Sequence, residues 1–203
     1  MTLWAAERLT PEKVAAREAF AEAQPALEVV DLVFVDEAGV NRKMTRRYAR
    51  SRRGARAVGY VPGGWGQNTT LTGAMTVDGL LVLDRRVSGG TTKACFLSFV
   101  TGVLVPALRP GQVVVLDNLS AHKGPEVRAA IEAAGCRVVF VPPYSPEYNA
   151  IEKAWSKLKV RLRRVAARTQ EALDRAITEA AAAITASDAV NWIRGAGYGL
   201  RPT

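Results

Sequence analysis

The chain is poor in the residues that build disulfide frameworks and zinc sites: its 203 residues include two cysteines, Cys95 and Cys136, and one histidine, His122. Neither cysteine has a second cysteine or a histidine at metal-ligand spacing, so both read as buried thiols. Long apolar runs are also missing. Stretches such as residues 113–116 fall far short of the roughly 20 residues a membrane helix needs, and residues 1–9 lack the basic start and apolar middle of a secretion signal. A cytoplasmic protein is expected. Aromatic residues make up only 7%, but a hydrophobic content of 48% beside 23% charged residues suits one globular domain and excludes disorder.

Positive charge is what the chain has in excess. Twenty-eight lysines and arginines against 19 acidic residues give a net charge of +9 and favour a polyanionic partner, because each cation docked on a phosphate releases counterions. Eight of these cations crowd one stretch: Arg42, Lys43, Arg46, Arg47, Arg50, Arg52, Arg53 and Arg56. Such a segment can track a phosphate backbone, with Tyr48 and Trp65 available to stack on a splayed base. The competing reading is a solvated loop.

Secondary-structure signals alternate along the chain. Thr10-Pro11-Glu12 starts an alanine-rich helix over 10–24. Residues 32–35 form a branched apolar run, read as a buried strand stopping at the turn 36–39. Residues 69–77 and 80–87 predict a hairpin closed at Asp78-Gly79. A helix is expected over 91–108, a strand over 113–116 ending at Asp117, a helix over 123–134 and a strand over 138–141. After the proline-rich segment 142–146, helices are expected over 151–165 and 169–186, with Asp188 capping a last short one. The implied fold class is α/β, a mixed sheet covered by helices.

Two aspartates, Asp36 and Asp117, each follow a buried strand. Alone, either is an ordinary turn former. Neighbouring strands lie about 5 Å apart, however, so the pair would repel unless a cation intervened, and hard oxygen ligands select magnesium or manganese. A third carboxylate, Glu152, begins the helix after the proline segment. At 100° per residue, Ile151, Trp155, Leu158, Leu162 and Val165 make its apolar face, while Glu152, Ser156, Lys159 and Arg163 share a stripe at the border.

Three segments carry a family resemblance: Val33-Phe34-Val35-Asp36-Glu37-Ala38-Gly39, Val115-Leu116-Asp117-Asn118-Leu119-Ser120-Ala121-His122, and the run from Pro142-Pro143-Tyr144-Ser145-Pro146 through Glu152 to Trp155. They resemble the catalytic blocks of mariner-like DDE transposases, in particular the bacterial insertion-sequence branch. The 34 residues between Asp117 and Glu152 match the spacing of that branch. The likeness spans residues 25–198.

The resemblance implies an RNase H-like fold with a five-stranded mixed sheet. It implies that Asp36, Asp117 and Glu152 are catalytic and hold two Mg2+ (or Mn2+) ions for DNA cleavage and strand transfer in cut-and-paste transposition. Asn118, His122 and Asn149 are expected to support the carboxylates, and Lys123, Lys159 and Arg163 to join the basic stretch on DNA. Glu37 and Glu147 rank below their acidic neighbours as ligands. The chain reads as a lead-in helix and linker over 1–27 and a catalytic domain over 28–203. It has no room for the helix-turn-helix region that precedes this domain in the family. A partner from an upstream reading frame would supply that region, and paired DNA ends imply a homodimer. The alternatives are a non-catalytic DNA-binding remnant and an RNase H-like nuclease or resolvase.

Overall fold

The computed structural model, which describes residues 5–63, 67–87 and 90–199, is organised by five strands: β1 (Leu32–Asn41), β2 (Asn68–Thr76), β3 (Gly79–Val87), β4 (Val113–Leu116) and β5 (Arg137–Phe140). They pair in the order β3-β2-β1-β4-β5. The β1–β2 and β2–β3 pairs are antiparallel, whereas β1–β4 and β4–β5 are parallel. The mixed sheet predicted from the sequence is therefore present. The hairpin turns where Asp78-Gly79 placed it, and Gly79 adopts φ +114°, a conformation that L side chains rarely adopt.

The described residues form six α-helices, of which the last five cover the sheet: α1 (Pro11–Ala23), α2 (Lys93–Phe99), α3 (Pro125–Ala133), α4 (Ile151–Val165), α5 (Gln170–Ala182) and α6 (Ala186–Gly195). Strand alternation divides the core. Leu32, Phe34, Ala38 and Val40 of β1 pack with Val113 and Val115 of β4 against α4, α5 and α6. Val33 and Val35 pack with Val114 and Leu116 against α2 and α3. Side-chain parity thus decides which layer each residue of β1 and β4 addresses.

The structure corrects several expectations. β1 continues to Asn41 rather than turning at Asp36, because β2 pairs with it through Asn41↔Asn68, well past the last β1–β4 partners. The helix expected over 91–108 is broken: α2 is followed by a π-turn at Val100–Leu104 and a 3-10 turn at Val105–Ala107. Pro106 lacks an N–H and cannot continue a regular helix. Thr185, not Asp188, is the N-cap of α6; Asp188 is the fourth residue of a reciprocal capping box. Asp188 also pairs with Lys157, which ties α4 to α6. Val165 is exposed and Ala154 takes the buried place on α4.

Candidate active site

The β1–β4 register pairs Leu32 with Val113 and Phe34 with Val115, and its continuation sets Asp36 opposite Asp117. Both positions have the parity of the residues that face α4. Strands in register place such a pair about 5 Å apart at the backbone. Glu152 sits in the first turn of α4, held there because Ile151, Ala154, Trp155 and Leu158 bury the helix on the same face of the sheet. The three carboxylates line one cleft of about 440 Å³, together with Asn118, Lys123, Asn149 and the segment from Pro142 to Pro146.

Their environments differ. Asp36 is only 8% exposed, and Trp155 Nε1 donates to its Oδ2 at 3.0 Å. Burial first, then the charge of Glu152, push its pKa from 3.8 up to about 8, with Glu37 and Asp117 adding smaller repulsions. Glu152 is more open to solvent. Its pKa is also raised, by desolvation and by Asp117, against the pull of Lys159 and Lys153. Asp117 Oδ1 accepts from the Leu119 N–H at 3.0 Å and lies against Nδ1 of His122 in a close ion pair.

Among the described residues, no three acidic, histidine or cysteine side chains converge tightly enough to enclose an ion. Two of the three carboxylates are already engaged by the protein: Trp155 donates to Asp36, and His122 pairs with Asp117.

Of the expected supporting residues, Asn149 is buried, and its Nδ2 donates to the Val35 carbonyl at 3.2 Å, which leaves Oδ1 without a partner. Asn118 lines the cleft with an unpartnered buried Oδ1. His122 is fully buried, stacked on Phe96 with ring centroids 4.0 Å apart. Desolvation opposes its protonation, but hydrogen bonds and charge from Asp117 and Glu37 outweigh it and raise the pKa to about 9.

The cations divide. Lys123 lines the cleft. Arg46, Arg47 and Tyr48 instead meet Val160, Arg163 and Arg164 of α4 across a basic groove of about 720 Å³. Arg163 lies eleven residues beyond Glu152, roughly 16 Å along the helix. This part of the basic segment, Arg46 to Tyr48, therefore flanks the cleft at a distance. Arg168 anchors its start by donating to the Arg42 and Met44 carbonyls at 2.8 and 3.1 Å. Arg50, Arg52, Arg53 and Arg56 are exposed on irregular chain, as is Tyr48. Trp65 lies outside the described residues.

Sequence reasoning missed three features. Trp155 was assigned only to the apolar face, although its N–H makes it the partner of Asp36. Glu37 was set aside as a spare carboxylate, yet its Oε2 lies 3.0 Å from His122 Nε2. The lead-in segment also docks on the cleft wall: Arg8, in the 3-10 turn before α1, donates to the Tyr144 carbonyl at 2.9 Å and pairs with Glu147, and Lys13 Nζ of α1 sits 4.6 Å above the Tyr144 ring. Those contacts fasten a residue in the left-handed region, Tyr144 at φ 58°. The signal for the first two was strand parity, which separates Asp36 from Glu37 and aligns Asp36 with α4.

Comparisons with known proteins agree with this geometry. No curated protein matches the chain in sequence. Among solved structures, it is similar to a Mos1 transposase paired-end complex with left transposon end (TM-score 0.76, 18% identity, covering 96% of this chain and 61% of that one). It is also similar to a mariner Mos1 paired end complex with Mg (TM-score 0.77, 17% identity, 97% and 64%). A third structure is the catalytic domain of Mos1 mariner transposase (TM-score 0.63, 14% identity, 96% and 89%). These likenesses establish an RNase H-like fold, and the chain spans about 61% of the length of the first of them. The sequence profile of the DDE superfamily endonucleases matches residues 31–174, which takes in Asp36, Asp117 and Glu152. The chain belongs to the DDE superfamily of endonucleases.

Proposed function

We propose that this chain is the catalytic domain of an insertion-sequence transposase, cutting DNA at the element's ends and joining the freed 3′ ends to target DNA. The observation that carries the reading is the in-register placement of Asp36 and Asp117 on the α4 face, with Glu152 lining the same cleft. Asp36, Asp117 and Glu152 are the ligands we assign to two Mg2+ or Mn2+ ions. The donor set fits hard divalent cations: three carboxylates, two of them with raised pKa, beside the unpartnered buried oxygens of Asn118 and Asn149. Similar structures include Mos1 complexes with Mg and with Mn.

When bound, such ions lower the pKa of an attacking water or hydroxyl and stabilise the leaving oxygen. The protein's own groups do the positioning. Trp155 fixes one oxygen of Asp36, Leu119 N–H and His122 fix one oxygen of Asp117, and Lys123 stands in the cleft to meet a phosphate. A partner carrying the helix-turn-helix would select the element's ends, and two copies would hold the paired ends. The site of action is the cytoplasm, at the nucleoid. No helix of the described residues is long and apolar enough to cross a membrane.

The test is strand cleavage and joining with Mg2+ and duplex DNA carrying the element's ends. Wild-type protein is expected to nick and join, and Asp117→Asn to lose both by about 10³-fold, equivalent to about 4 kcal/mol of transition-state stabilisation. Equal activity in the two proteins would overturn the assignment. Binding without cleavage by wild type would favour a non-catalytic remnant, and preference for hybrids or junctions a nuclease or resolvase.

The basic groove carries a separate expectation. A strand leaving the cleft would cover the 16 Å to Arg163 in about five nucleotides. Replacing Arg46, Arg47, Arg163 and Arg164 with glutamine should weaken binding of all duplexes alike and reduce the slope of log K against log salt by about 3.6. A slope equal to that of the wild type would show that DNA passes elsewhere.

A further inference from the structure

Asp36 and Glu37 are consecutive residues of one strand, so they address opposite layers of the fold. Asp36 turns to α4, and Glu37 turns to the α2–α3 layer, where His122 is packed. That imidazole has no solvent exposure, lies on the Phe96 ring, and is flanked by two carboxylates. Its Nε2 is 3.0 and 3.2 Å from the two oxygens of Glu37, and its Nδ1 contacts Oδ1 of Asp117. Oδ1 of Asp117 takes both the His122 contact and the Leu119 N–H.

The geometry points to Glu37 as a positioning residue of the active site, which orients His122 from behind the sheet and through it holds Asp117 for the metal. The inference rests on the proposed metal-holding role of Asp117. The physical case is one of buried polar groups. A fully buried imidazole with carboxylates on both sides cannot rotate without leaving a buried charge unpaired, and Phe96 closes the ring-flip path. Glu37 itself is nearly closed off, with 13% of its side chain exposed, and it acts on Asp36 both through a backbone hydrogen bond and through charge. The arrangement is a carboxylate–imidazole–carboxylate chain running across the sheet. In metal sites generally, a partner that orients a ligand from outside the coordination sphere is worth ten- to a hundredfold in affinity. Here the oriented ligand is a carboxylate and the orienting pair is Glu37 and His122.

The sole histidine makes the test direct. Protein labelled with 15N only in histidine gives one pair of ring signals, so titration with diamagnetic Mg2+ reports on His122 without any substitution. Mg2+ is expected to shift the Nδ1 signal, which faces Asp117, more than the Nε2 signal. Mn2+ affinity measured by calorimetry should fall about tenfold or more in Glu37→Gln, which keeps an acceptor for the ring and loses the charge. It should return toward the wild-type value in Glu37→Asp, provided both variants melt within a few degrees of the parent. The parent chain carries the result if Glu37→Gln does not fold, because the NMR titration needs no variant. Ring signals unmoved by saturating Mg2+, or unchanged Mn2+ affinity in a folded Glu37→Gln, would overturn the positioning role while leaving the metal site intact. Failure of wild type to bind Mn2+ more tightly than Asp117→Asn would instead remove the metal site, and this role with it.

Discussion

Asp36→Asn is expected to have two opposite effects: loss of strand cleavage by about 10³-fold or more, and a higher melting temperature of the metal-free protein at pH 8. The second follows from burial. Asp36 is 8% exposed and its pKa rises from 3.8 to about 8, so ionising it inside the fold is unfavourable. Between those two values the folded form holds a proton that the unfolded chain releases. The penalty is absent below about pH 4, grows as pH rises, and is complete above about pH 8. At about 1.4 kcal/mol per pH unit, several kcal/mol are at stake. Asparagine has no charge to desolvate and still offers an oxygen to Trp155 Nε1. Thermal melts in chelator across pH 4 to 8 should therefore diverge with rising pH, the variant above the parent. A constant difference, or a less stable variant at pH 8, would show that Asp36 is not a strained charge.

Under the proposed metal-holding role of Asp36, the repulsion that raises its pKa becomes favourable interaction when a cation arrives. By the same reasoning, metal affinity should rise with pH through the range in which Asp36 ionises.

Local sequence carried the elements whose signal is local. The branched runs before Asp36 and Asp117 are strands because nothing else buries four consecutive apolar residues so cheaply in hydrogen bonds, and Asp78-Gly79 turns because glycine accepts the φ the hairpin requires. Ordered motifs and spacing single out Asp36, Asp117 and Glu152, which line one cleft in the fold. The extension of β1 to Asn41 is not legible in this way, since it depends on β2 arriving from a distant part of the chain. Nor are the contacts that position the trio. Trp155 to Asp36 and His122 to Glu37 span 119 and 85 residues, and no local pattern encodes such a meeting. The break after α2 is the reverse case, a local signal: Pro106 falls inside the expected helix and lacks the N–H that a regular helix needs there.

Trp155 is where stability and chemistry are most tightly joined, and two substitutions separate them. Its side chain is 1% exposed within the larger core cluster, so Trp155→Ala should cost about 3–5 kcal/mol in urea denaturation. The site has little capacity to collapse around the loss. A Cβ on Gly73 would come within 2.8 Å of Trp155 Cη2 and 3.1 Å of the Val82 carbonyl, so the indole is pressed directly on β2 backbone that hydrogen bonds hold in place. Trp155→Phe keeps most of the apolar burial and removes the N–H. Asp36 Oδ2 then loses its donor at 3.0 Å, which should cost about 1–3 kcal/mol and raise the Asp36 pKa above its already elevated value. The pH at which Mn2+ binding reaches half its maximum should shift upward in Trp155→Phe while the fold stays intact. An unshifted midpoint in a folded Trp155→Phe would reduce Trp155 to a packing residue. An upward shift would make the indole the device by which α4, the helix bearing Glu152, also sets the charge and aim of Asp36 on the sheet beneath it.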